Sequence, residues 1–158
     1  MRLALYQPDI PQNTGTLMRL CACLGVAMDI IEPCGFLLSD KNLKRAGMDY
    51  IEHLDMTRHM NWDSFKTAHA GKRIVLLTTK TDQSFIDFKF APDDVLLAGR
   101  ESAGVPDDVH NSCDARITVP MAASVRSLNV AVASAMVLSE GLRQTCLFPN
   151  CKTGEKQA

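Results

Sequence analysis

The sequence predicts an α/β fold, a mainly parallel sheet with helices on both faces. Three observations lead there. Short β-rich apolar runs alternate along the chain with runs whose apolar residues recur at helical spacing. Two of the apolar runs, "KRIVLLTT" (72–79) and "DDVLLAG" (93–99), are continuous rather than alternating, as in strands buried on both sides. The helical runs close on glycines, at Gly25, Gly47 and Gly71.

In chain order, "RLALY" (2–6) reads as a short buried strand and "QPDIPQN" as the loop after it. "TGTLMRLCACLG" puts Leu17, Leu20, Cys21 and Leu24 on one helix face, with Asn13 as a candidate N-cap. "AMDIIEP" is a strand ended by Pro33, "SDKNLKRAG" a short basic helix, "YIEHLDM" a strand and "NWDSFKTAHAG" a helix. After the two continuous strands, "ARITVP" is a further strand, and the last helix runs from Ser127 to about Gln144. A length of 158 residues suits one domain, expected over 1–145, with 146–158 as a polar, flexible tail.

Apolar residues make up 46% and charged ones 22%, a globular rather than a disordered composition. The net charge of -1 supplies no general attraction for nucleic acid, so RNA binding would need a local basic patch. Lys41, Lys44 and Arg45 in "KNLKRAG" are the best candidates, extended by Arg58 and His59. The plainer reading of that patch is a solvated helix face. No signal peptide or membrane-spanning run is visible, which implies a cytoplasmic chain with reduced thiols. Cys21 and Cys23 point in different directions on a helix, and Cys146 and Cys151 have no second ligand pair, so no metal is expected.

Ligands of parallel α/β sheets bind at the carboxyl ends of strands, where "QPDIPQNTG", "GRESAGVP" and "PMAASVRSLN" fall. Gly15 in a first helical turn costs ~1 kcal/mol relative to alanine, which suggests a close neighbour. Arg19 lies opposite the apolar stripe, beside Gly15, Ala22 and Cys23, and is expected to project into an interface or a site. Gly99 and Gly104 have Walker A spacing, but Val105 and Pro106 stand where that motif needs Lys and Ser or Thr. Glu101 between them is either a ligand group or a surface carboxylate in a turn. Ser127 reads as the cap of the last helix, although Val130 replaces the Glu or Gln of a capping box. Asn129 would then fall in the first turn, where a short amide competes with the backbone unless it has another partner. Ala131, Ala133, Ser134 and Ala135 permit close packing against another helix or subunit.

In order and spacing, these segments resemble the three motifs of the SPOUT-class (α/β-knot) RNA ribose 2′-O-methyltransferases. Asn13, Gly15 and Arg19 match Asn-x-Gly-x-x-x-Arg, and Gly99, Glu101 and Gly104 match Gly-x-Glu-x-x-Gly. Pro120 with Ser127, Leu128 and Asn129 matches the third motif. Within the class, the chain looks most like the tRNA (cytidine/uridine-2′-O-)-methyltransferases of the anticodon wobble nucleotide. That likeness runs from about residue 2 to residue 145, through phrases such as "LYQPDIPQNTGTLMRLCA" and "IIEPCGF". It departs at Arg100 and Ala103, where the family pattern has Pro and Arg.

The resemblance implies a C-terminal trefoil knot, S-adenosylmethionine as cofactor, a tRNA substrate and a homodimer with its site at or near the subunit interface. It places cofactor contacts at Leu77, Thr78, Gly99, Gly104, Val119, Met121, Ser127 and Leu128. The implied reaction is in-line attack of a ribose 2′-hydroxyl on a sulfonium methyl, which needs alignment and removal of the hydroxyl proton. An arginine with a pKa above 12 is a poor base. Arg19 is therefore expected to clamp a phosphate and orient the hydroxyl. Asn13, Glu101, Ser127 and Asn129 complete the catalytic set, with Asn13, Glu101 and Asn129 expected to hold the loops and Arg19 in place. A ribosomal RNA ribose methyltransferase would share all three motifs. A non-catalytic RNA- or nucleotide-binding module would explain the loops but not the joint occurrence of these residues.

Overall fold

The computed structural model describes residues 1–38 and 53–149. Its sheet comprises β1 (Arg2–Tyr6), β2 (Ala27–Ile31), β3 (Met56–His59), β4 (Ile74–Leu77), β5 (Val95–Ala98) and β6 (Ala115–Ile117). The strands are parallel and lie in the order β3-β2-β1-β5-β4-β6. Among the described residues the helices are α1 (Pro11–Leu24), α2 (Trp62–Ala68), α3 (Asp107–Ser112) and α4 (Val130–Thr145). The chain builds outward from β1 through β2 to β3, then resumes on the other side of β1. The order therefore reverses between β1 and β5, and such a switch point opens a crevice at the strand ends.

Side-chain alternation along the central strands builds a core on each face of the sheet. Leu3 and Leu5 of β1 pack with Leu17, Met18 and Cys21 of α1 and with Val137, Leu138 and Leu142 of α4. Ala4 and Tyr6 face the other way, toward Phe65 of α2 and Val109 of α3. Leu96 and Ala98 of β5 join the first core, Val95 and Leu97 the second. Burial on both sides is the reason these strands read as continuous apolar runs.

Both expected helix starts shift. Helix α1 begins at Pro11, the favoured first-turn residue, with Ile10 in the cap position. Asn13 is consequently in the first turn and not the N-cap. Helix α4 begins at Val130 rather than Ser127, because the Asn129 side chain accepts from the N–H groups of Ala131 (2.8 Å) and Val132 (3.3 Å). Ser127 is left in the exposed loop ahead of it. Strand β3 lies later than "YIEHLDM": Thr57 and Arg58 are exposed, which an edge strand tolerates. Helix α3 was not expected, since six largely polar residues are too few for periodicity to mark. The expected basic helix with Lys41, Lys44 and Arg45 lies outside the described residues.

Beneath the β2–β3 edge, Asp29 is fully buried and is forked by Arg2, Nε at 2.8 Å from Oδ2 and Nη2 at 3.2 Å from Oδ1. His59 Nε2 lies 2.8 Å from Oδ1, and His69 Nε2 lies 3.2 Å from Oδ2 without the alignment of a hydrogen bond. The three acid and imidazole groups have metal-ligand spacing. Arg2, however, already occupies both carboxylate oxygens, so the cluster is an ion-pair network. Burial raises the Asp29 carboxyl, but Arg2 and then His59 outweigh it and hold the group below the usual range. Burial lowers His69, with Asp29 opposing.

Both groups bind protons more readily in the unfolded chain, so acid costs stability. The fall should begin below pH 6.5, the ordinary histidine value, through His69. It should resume below 3.8 through Asp29. In thermal melts across this range, His69→Gln is expected to flatten the first fall and leave the second. An unchanged first fall would show that His69 does not carry it.

Candidate functional site

A cavity of about 570 Å³ opens at the carboxyl ends of β4, β5 and β6, close to the switch point. Its size is within the ~300–1,000 Å³ typical of small-molecule sites. Three loops converge on it. The first follows β1 and enters α1, the second joins β5 to α3, and the third joins β6 to α4.

The second loop is a closed turn. Arg100 and Gly104 exchange backbone hydrogen bonds, each 2.9 Å from N–H to carbonyl oxygen. This brings Gly104 so close to Gly99 that a Cβ on Gly99 would lie 2.7 Å from the Gly104 carbonyl carbon. Any side chain at Gly99 must displace backbone. The absence of one keeps the loop flat against the cavity.

Polar side chains tie the loops together. Asn13 Nδ2 donates to Glu101 Oε1 at 3.2 Å, and Asn129 Nδ2 donates to Asn13 Oδ1 at 2.9 Å. Asn129 Oδ1 meanwhile caps α4, so one residue starts the helix and reaches across to the first loop. The Asp9 N–H donates to Glu101 Oε2 at 3.1 Å. Burial, and then the Asp9 carboxyl, raise Glu101 above the usual carboxylate range. Its hydrogen bond to Glu101 in turn lowers Asp9. Arg100 donates to Gln7 and lies over the Tyr6 ring, 5.6 Å from its centroid.

The cavity wall contains Leu77, Thr78, Gly99, Gly104, Val119, Met121, Ser127 and Leu128, each of them expected to contact a cofactor. Asn13, Glu101 and Asn129 also line it. Arg19 does not: it is exposed on α1, outside the cavity of its own chain. Arg58 is distant in role as well, donating to Glu32 Oε1 at 2.6 Å and to the Leu38 carbonyl at 3.3 Å. Lys80, His110 and Arg126 belong to the wall and were missed. Arg126 directly precedes Ser127 and could have been found from its place in the third loop. Lys80 follows a strand end, the only signal it carries.

The wall suits a flat, partly apolar ligand with a polar tail. Leu77, Val119 and Leu128 offer apolar surface, the closed second loop presents backbone, and Ser127, Glu101 and Arg126 supply polar groups. S-adenosylmethionine has this character, so the residues present fit it.

A family model described as the SpoU rRNA Methylase family matches residues 1–139. A tRNA (cytidine(34)-2'-O)-methyltransferase from Beijerinckia indica subsp. indica is 59% identical over 144 residues, which cover 90% of each chain. A solved structure concerned with the 2-OH methylation of C/U34 on tRNA superposes with a TM-score of 0.85 at 41% identity, covering 90% of this chain and 94% of that one. The SpoU methyltransferase AviRb from Streptomyces viridochromogenes, in complex with AdoMet, gives a TM-score of 0.81 at 26% identity, covering 91% of this chain and 57% of that one.

The cap assignment has a direct test in chemical denaturation. Asn129→Ala is expected to cost about 0.5–2 kcal/mol, the range for losing an N-cap, whereas Ser127→Ala should stay within about 0.5 kcal/mol of the parent. The reverse ranking would return the cap to Ser127.

Proposed function

The chain belongs to the SpoU methylase family, and from that membership we propose that it is an S-adenosylmethionine-dependent tRNA methyltransferase. It methylates the ribose 2′-hydroxyl of nucleotide 34, the anticodon wobble position, on a cytidine or modified uridine. The observation that carries this reading is the convergence of every expected cofactor residue on one cavity. The identity to relatives named for cytidine 34 favours tRNA over ribosomal RNA as substrate.

When bound, S-adenosylmethionine supplies an electrophilic sulfonium methyl. The protein contributes alignment. Leu77, Thr78, Val119, Met121, Ser127 and Leu128 hold the cofactor, and Gly99 with Gly104 admits it close to backbone. Asn13, Glu101 and Asn129 fix the loops relative to one another, which is how a site gains rate without acid chemistry at the leaving group. Arg19 clamps the substrate phosphate and orients the hydroxyl.

Arg19 is outside the cavity of a single chain, so we assign the working unit as a homodimer in which Arg19 completes the partner's site. The exposed Val132 and Met136 on α4 supply apolar surface for that contact. Lys41, Lys44, Arg45 and Arg58 are assigned to the approach of RNA, Arg58 by exchanging its bond to Glu32 for a phosphate. The domain is taken as 1–145 with a polar tail over 146–158, and its C-terminal part as the trefoil knot of the family. No helix among the described residues is long and apolar enough to cross a membrane. The enzyme is assigned to the cytoplasm with its tRNA.

Incubation with labelled S-adenosylmethionine and total tRNA, followed by nucleoside mapping, should place the methyl on the 2′-oxygen of nucleotide 34. A methyl mapped to ribosomal RNA, with tRNA unmodified, would overturn the substrate. Arg19→Ala should abolish transfer with near-parental cofactor affinity by calorimetry, and full activity would remove Arg19 from the mechanism. Gly99→Val must displace the Gly104 backbone and should lose cofactor binding. Parental affinity in that variant would refute the loop assignment.

A further inference from the structure

Asp9 lies outside the three sequence motifs, yet both its backbone and its side chain are tied to the second loop. Its N–H donates to Glu101 Oε2 at 3.1 Å, and the Glu101 N–H donates back to Asp9 Oδ1 at 3.2 Å. Ser102 Oγ donates to Asp9 Oδ2. Behind it, Gly35 closes the space: a Cβ on Gly35 would lie 2.8 Å from Asp9 Cβ and 2.9 Å from its Cα. The Gly35 N–H also donates to the Pro8 carbonyl at 2.9 Å, fixing the backbone just before Asp9. Asp9 is absent from the cavity wall, whereas Glu101 is part of it. Whatever Asp9 does for the site, it does through Glu101 and Ser102, both part of the wall.

We propose that Asp9 is a positioning residue for methyl transfer, its carboxyl and that of Glu101 acting as one unit that holds the second loop against the first. This rests on the functional reading above. Two neighbouring carboxyls resist ionising together. Glu101 is raised above the usual carboxylate range, first by burial and then by Asp9. Asp9 is lowered, by its bond to Glu101 first and with help from Ser102, against burial. The other charged or titratable groups around the cavity are Lys80, Arg100, His110 and Arg126.

Asp9→Asn keeps an oxygen to accept from the Glu101 N–H but removes the neighbouring charge. Glu101 should then ionise at lower pH. Carbon-13 NMR titration of the Glu101 side-chain carboxyl, in the parent and in Asp9→Asn, reads this without any turnover. The expected result is a downward move toward the ordinary carboxylate range. The acid limb of the kcat/KM profile on tRNA should move the same way, a displacement that loss of a merely structural contact would not produce. Asp9→Ala should lower kcat/KM by about 100-fold, the scale of a misplaced reacting group. Gly35→Ala, which pushes on Asp9 and leaves both carboxyls intact, should give a weaker loss. A Glu101 titration unmoved in Asp9→Asn, or parental kcat/KM in Asp9→Ala, overturns the proposal. A parent protein that transfers no methyl to tRNA would instead defeat the functional reading, and the NMR titration would still decide the coupling.

Discussion

The Asn13 side-chain amide joins three loops that the sheet alone would leave independent. Its nitrogen donates to Glu101 in the second loop, and its oxygen accepts from Asn129 in the third. An amide is suited to this because it carries a donor and an acceptor on one rigid plane. A carboxylate could only accept, and a hydroxyl has its donor and acceptor on a single atom rather than on two separated ones. The partners are matched: Glu101 accepts, and Asn129 has an amide to donate with while its own oxygen caps α4. The orientation of each amide follows from its neighbour.

The rest of the architecture makes that junction possible. The reversal of strand order between β1 and β5 brings the loop after β1 beside the loop after β5. Both strands are buried on two faces, so their ends are held firmly while the loops beyond remain solvent-facing. Helix α4 packs against α1, which sets Asn129 at the cap of one helix opposite Asn13 in the first turn of the other. The polar network at the strand ends and the ion-pair network around Asp29 occupy separate parts of the sheet. Acid sensitivity of the second therefore acts on the fold, and that of the first on the site.

Much of this was legible in the sequence. The alternation of apolar runs gave the sheet, the continuous runs at 72–79 and 93–99 marked the buried strands found at 74–77 and 95–98, and the three loops announced themselves by residue types that turns do not require. The oddity of Asn129 was visible as an amide in the wrong place, and the structure supplies its missing partner in Asn13. What could not be read has physical causes. Strand β3 is held by backbone pairing to β2, which leaves no apolar signature in Thr57 and Arg58. The choice of Asn129 over Ser127 as cap depends on where the third loop ends, a tertiary matter. Asp9 carries no motif, and its importance comes from Gly35 and Glu101, residues far away in the chain.

The central claim is that Asn13 couples the loops, so a double-mutant cycle tests it most directly. Asn13→Ala, Glu101→Ala and the double variant would be compared by calorimetric affinity for S-adenosylmethionine, with Asn129→Ala paired to Asn13→Ala in a second cycle. The account predicts strong non-additivity, about 1 kcal/mol or more of coupling in each cycle, because removing Asn13 already severs what the partner substitutions remove. Effects that simply add, in both cycles, would contradict it and leave the loops as independent elements around a shared cavity.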